Sequence, residues 1–237
     1  MVFFATPEKS VGHVAEMMKS KLLSFIWVPW EDVGAYIEKS DAALIGPGFM
    51  RFKSEMGKKI EIENGNSAGL ESREITERLL KKFPDKRWVI DAGSLQTMEP
   101  EWIPQGAILT PNRKEFERLF KSRVEERESG RVEVVEEMAK KYNCTITLKG
   151  SEAIVASPDN LVIVKGGNPG LTKGGSGDVL AGLTVSLLAK NDPFLAASGA
   201  SFLEKASADE LYKKVGTNYN ADDLADTIPQ VYQRLLK

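Results

Sequence analysis

The chain has 237 residues, of which 42% are hydrophobic and 28% are charged, a mixture that lets it bury one large core. Its 32 Lys and Arg residues nearly balance its 34 Asp and Glu residues, and a formal net charge of −2 does not indicate a nucleic-acid partner. No apolar segment approaches the length of a membrane span, and no signal sequence is recognisable at the start. The composition therefore favours a cytoplasmic globular protein.

The single cysteine and the single histidine exclude several kinds of catalytic site. Cys144 precedes the β-rich stretch TITL, where we expect a small buried side chain. One Cys and one His, Cys144 and His13, leave too few ligands for a zinc site of the usual kind. They also leave little room for a Ser-His-Asp or Cys-His nucleophile. The chemistry must rely on carboxylates, lysines, backbone amides and a hard cation.

Short apolar runs alternate with helical patterns along almost the whole chain, which predicts βα units and a largely parallel sheet. The predicted strands are 2–6, 24–28, 42–46, 87–91, 107–110, 145–149, 152–156 and 161–165. The predicted helices are 8–20, 31–39, 70–82, 113–121, 131–142, 176–190, 193–214 and 221–236. The turn formers Pro158, Asp159 and Asn160 predict that the last two strands form a hairpin. No linker divides the chain, so we expect one domain over residues 1–237.

The loops that follow the predicted strands are the first place to look for function. In open parallel sheets, ligands bind outside the carboxyl ends of the strands. Five loops at these positions are polar or contain Gly or Pro, and they cover residues 46–49, 91–93, 110–112, 149–150 and 166–178.

The last of these loops holds six glycines within twelve residues, starting at Gly166. Gly174, Gly175 and Gly177 free the backbone where the helix 176–190 is predicted to begin. The first amides of a helix have no partner inside it and carry the positive end of its dipole, so this loop predicts an anion site. The run matches neither the GxxxxGK[ST] nor the GxGxxG spacing, so the anion is bound in another way.

Asp178 lies in the first turn of this predicted helix and has two interpretations. It is a cap on a helix that packs closely through Gly182, or it is a base that takes a proton from a hydroxyl beside the anion site. Its position alone does not decide between them.

Five segments together resemble one known family. They are IGPGF (45–49), DAGSLQ (91–96), TPNRKEFERL (110–119), LKGSEAIVASPDN (148–160) and GNPGLTKGGSGDVLAGL (167–183). They are similar, in the same order, to the motifs of the ADP- or ATP-dependent NAD(P)H-hydrate dehydratases of the ribokinase-like superfamily. The resemblance implies a three-layer α/β fold with a mostly parallel central sheet flanked by helices. It also implies metabolite repair, in which phosphorylation of the C6 hydroxyl of hydrated NADH or NADPH and loss of phosphate restore NAD(P)H.

The same resemblance assigns roles to individual residues and names the partners. It makes Asp178 the catalytic base and a substrate contact, with Gly48 and Asn112 also on the substrate side. The residues assigned to the nucleotide are Lys149, Gly150, Ser151, Glu152, Ala153, Gly175, Ser176 and Gly177. ADP or ATP is the co-substrate with Mg²⁺, and no protein residue is assigned to the metal. The implied assembly is a homo-oligomer with no nucleic-acid or membrane partner.

The sequence departs from the family pattern at several points. Asn112 and Arg113 replace a His and a Pro, and Met50 replaces a Gly. The first strand, its turn and a helix of the family pattern have no counterpart before Met1, so we expect an upstream start or a fragment. A naturally shortened protein completed by a neighbouring subunit is the alternative. Two other functions remain open: a ribokinase-like kinase of a thiazole or pyrimidine alcohol, and a nucleotide-binding relative without turnover.

Overall fold

The structure is a computed structural model that describes residues 1–22, 24–51, 67–124 and 127–236. It divides into two compact units, Met1–Asp41 and Ala42–Lys237. The first unit is a βαβ element in which β1 (Phe3–Phe4) pairs in parallel with β2 (Ile26–Trp27) through α1 (Lys9–Met18), followed by α2 (Val33–Lys39). At Gly12 a Cβ would lie 3.1 Å from the Trp27 ring, so α1 packs directly on β2.

The second unit contains a six-stranded sheet whose strands lie in chain order. Its strands are β3 (Ala43–Ile45), β4 (Trp88–Ile90), β5 (Ile108–Leu109), β6 (Thr145–Leu148), β7 (Ala153–Ala156) and β8 (Leu161–Val164). Strands β3 to β6 are parallel, and β7 pairs antiparallel with both β6 and β8; the β7–β8 pair confirms the predicted hairpin. The register places Ile45 beside Ile90 and Ile90 beside Leu109, so the carboxyl ends of β3, β4 and β5 form one edge.

Helices cover both faces of this sheet. The helices of the second unit are α3 (Ser67–Lys82), α4 (Ala92–Thr97), α5 (Arg113–Phe120), α6 (Glu128–Lys141), α7 (Ser176–Leu188), α8 (Pro193–Val215) and α9 (Ala221–Leu235). Helices α3 to α6 connect the parallel strands, whereas α7, α8 and α9 pack on one another and on the sheet. Every residue of β4 is buried, as expected for a parallel strand covered on both sides. The predicted three-layer α/β fold is therefore confirmed.

All eight predicted strands are present, each shorter than predicted. The sequence reading missed α4, which begins immediately after β4 and has only six residues. A helix this short has too few turns to show a periodic apolar pattern. Cys144 is buried, as predicted, and burial raises the pKa of its thiol to about 12. Within the described parts of the chain, no helix is both long and apolar enough to cross a membrane.

Candidate active site

A cluster of charged side chains lies at the carboxyl edge of the sheet. Asp91 follows β4 and is 1% exposed, and Lys149 follows β6. The Lys149 Nζ donates to Asp91 Oδ1 at 2.9 Å and lies 3.9 Å from Glu115 Oε2. The Lys149 ammonium thus joins the carboxylate that follows β4 with a carboxylate in the first turn of α5.

The loop after β3 approaches Asp91 through its backbone. At Gly46 (φ +117°) a Cβ would lie 1.8 Å from the Asp91 carbonyl oxygen, so only glycine fits. At Gly93 a Cβ would lie 2.3 Å from the Phe49 carbonyl oxygen. Gly48 (φ +77°) is exposed, and a Cβ there would meet nothing within 4 Å. The loop is fixed at Gly46 and open at Gly48, the predicted substrate contact.

Asn112 and Glu115 form a capping box at the start of α5. Asn112 Oδ1 accepts from the Glu115 amide at 3.0 Å, and the Asn112 amide donates to Glu115 Oε2 at 2.8 Å. Gln96 Nε2 donates to Glu115 Oε1 at 2.9 Å. Asn112 is exposed, so its side-chain NH₂ remains available at the site, while its Oδ1 is committed to the helix.

Helix α7 begins at the glycine run, and its first turn faces Lys149. Its N-cap is Gly175 (φ +92°), where a Cβ would lie 2.8 Å from the Ala221 Cβ. The Ser176 hydroxyl donates to the carbonyls of Leu171 and Lys173 at 2.6 and 2.9 Å, so it anchors the loop. A Cβ at Gly177 would lie 3.4 Å from the Lys149 Nζ. The helix start and the Lys149 ammonium are therefore adjacent.

The capping interpretation of Asp178 is wrong. The N-cap is Gly175, with no side-chain hydrogen bond to the helix start, and Asp178 lies three residues into α7. Close packing through Gly182 is wrong too, because a Cβ there would meet nothing within 4 Å. The amides of Gly177 and Asp178 find no carbonyl partner among the described residues, as expected for a first turn that keeps its anion site free.

The Asp178 carboxyl is exposed, yet its surroundings perturb it. Partial desolvation is the main reason that its pKa is raised above the ordinary value, and the negative charge of Asp91 adds to this effect. Lys149 acts in the opposite direction. A carboxylate with a raised pKa is a stronger base, and Asp178 belongs to the same first turn of α7 as these amides.

The loop between β6 and β7 is tied to the glycine run by a buried lysine. Lys205 of α8 is 4% exposed, and its Nζ donates to the carbonyls of Ser151 at 2.7 Å, Gly166 at 3.0 Å and Gly150 at 3.2 Å. All three ammonium donors are used. Lys205 thus holds together two segments that the sequence assigned to nucleotide binding or anion approach.

The other residues of the β6–β7 loop are placed differently. Ala153 is the first residue of β7 and is buried in the sheet, where it pairs with Val164. Glu152 lies 3.6 Å from the Lys165 Nζ through its carboxylate. Of the predicted nucleotide residues in this loop, Lys149 therefore lies beside the α7 helix start, Gly150 and Ser151 are anchored through their carbonyls, and the Ala153 side chain belongs to the core.

A second network shapes the GNPG segment at residues 167–170. Asn168 Oδ1 accepts from the Gly170 amide at 3.0 Å and from the Tyr219 hydroxyl at 2.8 Å. Asp209 of α8 accepts from the Gly167 amide at 3.1 Å. A Cβ at Gly170 would lie 2.4 Å from the Tyr219 ring. The glycines here permit close contact with Tyr219 and leave the segment rigid.

Glu204 is a buried acid that the sequence reading did not single out. It is 7% exposed, and burial raises its pKa to about 7, while the charges of Lys205, Lys149 and Asp91 also act on it. A sequence signal could have found Glu204 and Lys205. Both lie on α8 between the small residues Ser201 and Ala208, and small residues on one side of a helix predict a face that packs against the protein.

Asp91 and Glu115 are the best candidates for metal ligands. Within the described ranges, no three His, Cys, Asp or Glu side chains are arranged to hold a metal ion by themselves. Mg²⁺ usually takes one or two carboxylates and completes its shell with substrate phosphates and water. Two carboxylates that share the Lys149 ammonium fit a Mg²⁺ that arrives with a nucleotide. The sequence does not indicate Glu115 as a metal ligand, because an Asn followed three residues later by a Glu is typical of a helix cap.

A family model and the curated relatives identify the same family for this chain. A family model described as NAD(P)H-hydrate dehydratase matches residues 11–230. The chain is 32% identical over 204 residues to the ADP-dependent (S)-NAD(P)H-hydrate dehydratase of Nitrosopumilus maritimus, covering 84% of this chain and 64% of that relative. It therefore spans less than two thirds of the length of that relative.

Solved structures agree on the fold. The ADP/ATP-dependent NAD(P)H-hydrate dehydratase from Bacillus subtilis, co-crystallized with ATP/Mg²⁺ and soaked with CoA, superposes with a TM-score of 0.71 at 25% identity, over 94% of this chain and 78% of that one. A ribokinase-like superfamily protein from Enterococcus faecalis superposes with a TM-score of 0.73 at 19% identity, over 98% and 76%. This second similarity concerns the fold alone.

Proposed function

Because this chain belongs to the NAD(P)H-hydrate dehydratase family, we propose that it uses ADP or ATP to return hydrated NADH or NADPH to NAD(P)H. The observation that carries the proposal is the first turn of α7. Asp178 lies there without a capping role and its pKa is raised. The amides of Gly177 and Asp178 have no carbonyl partner among the described residues, and Gly177 lies beside Lys149. A base and an anion site thus occupy one helix start.

In the first step, Asp178 takes the proton of the C6 hydroxyl as that oxygen attacks the terminal phosphorus of the nucleotide. The bond from this phosphorus to its leaving oxygen breaks, and ADP or AMP departs. The free amides of α7 and the Lys149 ammonium stabilise the charge on the transferred phosphoryl group. Positioned base catalysis of this kind typically contributes about 10²- to 10⁴-fold.

In the second step, phosphate leaves C6 with the electrons of the C–O bond, and a proton passes from the adjacent ring carbon to water as the double bond forms. Asn112 does not supply a proton here, since an amide side chain does not titrate near neutral pH. Its NH₂ group, which has no acceptor among the described residues, is suited to hold the substrate by a hydrogen bond. The open backbone at Gly48 lets the substrate approach closely.

Mg²⁺ would be held by Asp91 and Glu115 and would supply charge neutralisation to the phosphates of the nucleotide. On the nucleotide side, the proposal assigns Lys149, Gly150, Ser151, Gly175 and Ser176 as contacts. We extend it to a single dehydratase domain over the whole chain, located in the cytoplasm and assembled as a homo-oligomer. Exposed apolar side chains on α1 support the assembly: Val11, Val14, Met17 and Met18.

The test compares Asp178→Asn with Asp222→Asn in the first turn of α9, which is exposed and carries a similar charge at a helix start. Hydrated NADH or NADPH is supplied with ADP or ATP and Mg²⁺, and recovery of absorbance at 340 nm is followed. We expect Asp178→Asn to lower turnover by at least about a hundredfold with nucleotide binding retained, the lower end for a lost base. Asp222→Asn should match wild type.

Wild-type turnover in Asp178→Asn would remove Asp178 from the mechanism. Phosphorylation of a thiazole or pyrimidine alcohol by the wild-type protein, without recovery of absorbance, would instead identify a small-alcohol kinase. Nucleotide-dependent thermal stabilisation without either reaction would identify a binding protein without turnover.

A further inference from the structure

Three of the buried hydroxyl groups have no hydrogen-bond partner in the part of the chain that the structure describes. They belong to Thr110 after β5, Thr147 in β6 and Ser201 in α8, which are 0%, 1% and 1% exposed. A buried hydroxyl without a partner destabilises a protein, so such groups are almost always bonded to protein atoms or to internal water. Where these three hydroxyls lie relative to one another therefore decides what can satisfy them.

Thr110 and Thr147 stand side by side on one face of the sheet. The β5–β6 register continues beyond β5, since the Lys149 amide donates to the Pro111 carbonyl at 2.9 Å. Paired residues of parallel strands point to the same face, so the two threonine side chains are neighbours. Thr147 is also paired with Val155 of β7, which points to that face as well.

Helix α8 covers this face of the sheet. Val155 packs in one buried cluster with Ala197 of α8. Ser201 lies four residues after Ala197, and Glu204 lies three residues after Ser201, so all three share one side of the helix. Ser201 and Glu204 therefore face the strands that carry the two threonines.

Glu204 is the charged residue at this position. Burial is the main reason that its pKa is raised, the charges of Lys205 and Lys149 lower it, and the charge of Asp91 raises it. The negative charge of Glu204 in turn acts on the Tyr219 hydroxyl. A carboxyl group has room for several hydrogen bonds, so Glu204 can share a small donor with the hydroxyls beside it.

We propose that the three hydroxyls and the Glu204 carboxyl bind internal water between the sheet and α8. We call Thr110, Thr147, Ser201 and Glu204 the polar layer. A buried water typically makes about three hydrogen bonds to groups that would otherwise lack a partner, so one or two molecules suffice. Water both donates and accepts, as a set of hydroxyls and a carboxyl requires. The threonine, serine and alanine side chains that meet here are short and leave space for it.

The polar layer lies below the charged cluster of the site. Lys149 follows Thr147 by two residues, so both side chains point to the same face of the sheet. Water that donates to the Glu204 carboxylate favours the charged form and lowers the Glu204 pKa. It thereby influences the negative charge near the Lys149 ammonium. This consequence for the site rests on the proposed function, whereas the water site itself does not.

The first test is thermal melting of Thr110→Val, Thr147→Val and the double variant at pH 5. Valine keeps the shape of threonine without its hydroxyl, so loss of one hydrogen bond to water should lower the melting temperature by about 2 to 4 °C. A shared water makes the loss in the double variant smaller than the sum of the two single losses. A higher melting temperature in either single variant, or additive losses, would overturn the bridging water.

The second test is ¹³C NMR titration of the Glu204 carboxyl, whose signal is identified by its loss in Glu204→Gln. Without the water, the pKa should rise from about 7 to about 8 in Thr147→Val, as expected for one lost hydrogen bond. Thr184→Val is the control, because its buried hydroxyl donates to the Leu180 carbonyl of its own helix at 2.7 Å. An unchanged Glu204 pKa in Thr147→Val, or an equal rise in Thr184→Val, would contradict the proposal.

A crystal structure of the wild-type protein gives the direct observation. We expect ordered water within hydrogen-bond distance of at least two of the three hydroxyls. Hydroxyls paired directly with protein acceptors, with no water between them, would overturn the proposal. If Thr147→Val does not fold, Ser201→Ala takes its place in the titration and faces the same criteria.

These measurements need neither nucleotide nor turnover. A polar layer that holds water in a wild-type protein without repair activity would keep the water site and refute the proposed function. Active repair by a protein whose hydroxyls bind no water would do the reverse.

Discussion

Glu204→Gln tests whether the buried acid of α8 is held in its neutral form. In the folded protein the Glu204 pKa is raised from 4.5 to about 7, chiefly by burial. In the unfolded chain it returns to its ordinary value, so the folded state binds the proton more tightly. The stability that depends on this proton is complete below about pH 4.5 and is lost as the pH rises to about 7. Glutamine is neutral at every pH and escapes this loss.

The size of the effect follows from the pKa values. A difference from 4.5 to about 7 corresponds to a penalty on the order of 3 kcal/mol above pH 7, because one pKa unit equals about 1.4 kcal/mol. At pH 5 the penalty is below about 1 kcal/mol. For a chain of this size, about 3 kcal/mol shifts the melting temperature by roughly 6 to 12 °C. We therefore expect Glu204→Gln to melt higher than wild type at pH 8.5, with little difference at pH 5.

The assay is thermal melting of both proteins from pH 5 to 8.5, using the difference at each pH so that groups common to both cancel. Glu210→Gln on the same helix is the control with opposite sign. Hydrogen bonds from Lys213 and Arg234 lower the Glu210 pKa, so its charged form stabilises the protein at high pH and this variant should melt lower there. A Glu204→Gln difference that does not grow between pH 5 and 8.5 would refute the reasoning.

Two further predictions concern the close contact between Gly46 and the Asp91 backbone, and the buried side chain of Lys205. Gly46→Ala should destabilise the protein by more than about 3 kcal/mol, because its Cβ would lie 1.8 Å from the Asp91 carbonyl oxygen, whereas Gly48→Ala should cost only about 1 to 2 kcal/mol of left-handed strain. Urea denaturation measures both, and equal costs would contradict the packing. Lys205→Met should weaken nucleotide binding by about tenfold or more, since three loop carbonyls lose their donor. Unchanged affinity by calorimetry would show that the loop does not need Lys205.

The fold was predictable because its signals are local. Each parallel strand is a short apolar run, and each long helix repeats its apolar positions over several turns. The Pro-Asp-Asn turn predicted a hairpin between the last two strands, which β7 and β8 confirm. Helix α4 was missed since its six residues begin directly after Asp91. Ala92 has a positive φ of 47° at this junction, a conformation that an alanine in sequence does not predict.

The site was only partly predictable, and the missing part depends on contacts distant in sequence. The glycine run and Asp178 carry their signal within one segment, and the structure decided against the capping role of Asp178. Lys205 lies 39 to 55 residues from the carbonyls that it binds, so its neighbours in the chain give no sign of them. The sequence reading did not single out Glu115, which forms a capping box with Asn112 and has Lys149 at 3.9 Å from its carboxylate.

Under the proposed function, the charges around Lys149 give a physical reason for a cation to accompany the nucleotide. Asp91, Glu115 and Asp178 stand around one ammonium, so this part of the site carries more negative than positive charge when all three carboxylates are ionised. A nucleotide phosphate that approached alone would be repelled by these carboxylates, although the amides of α7 attract it. A Mg²⁺ held by Asp91 and Glu115 would cancel this excess of negative charge. It would also lower the negative charge that Asp178 experiences from Asp91, so the base would be tuned by the same ion that brings the phosphate.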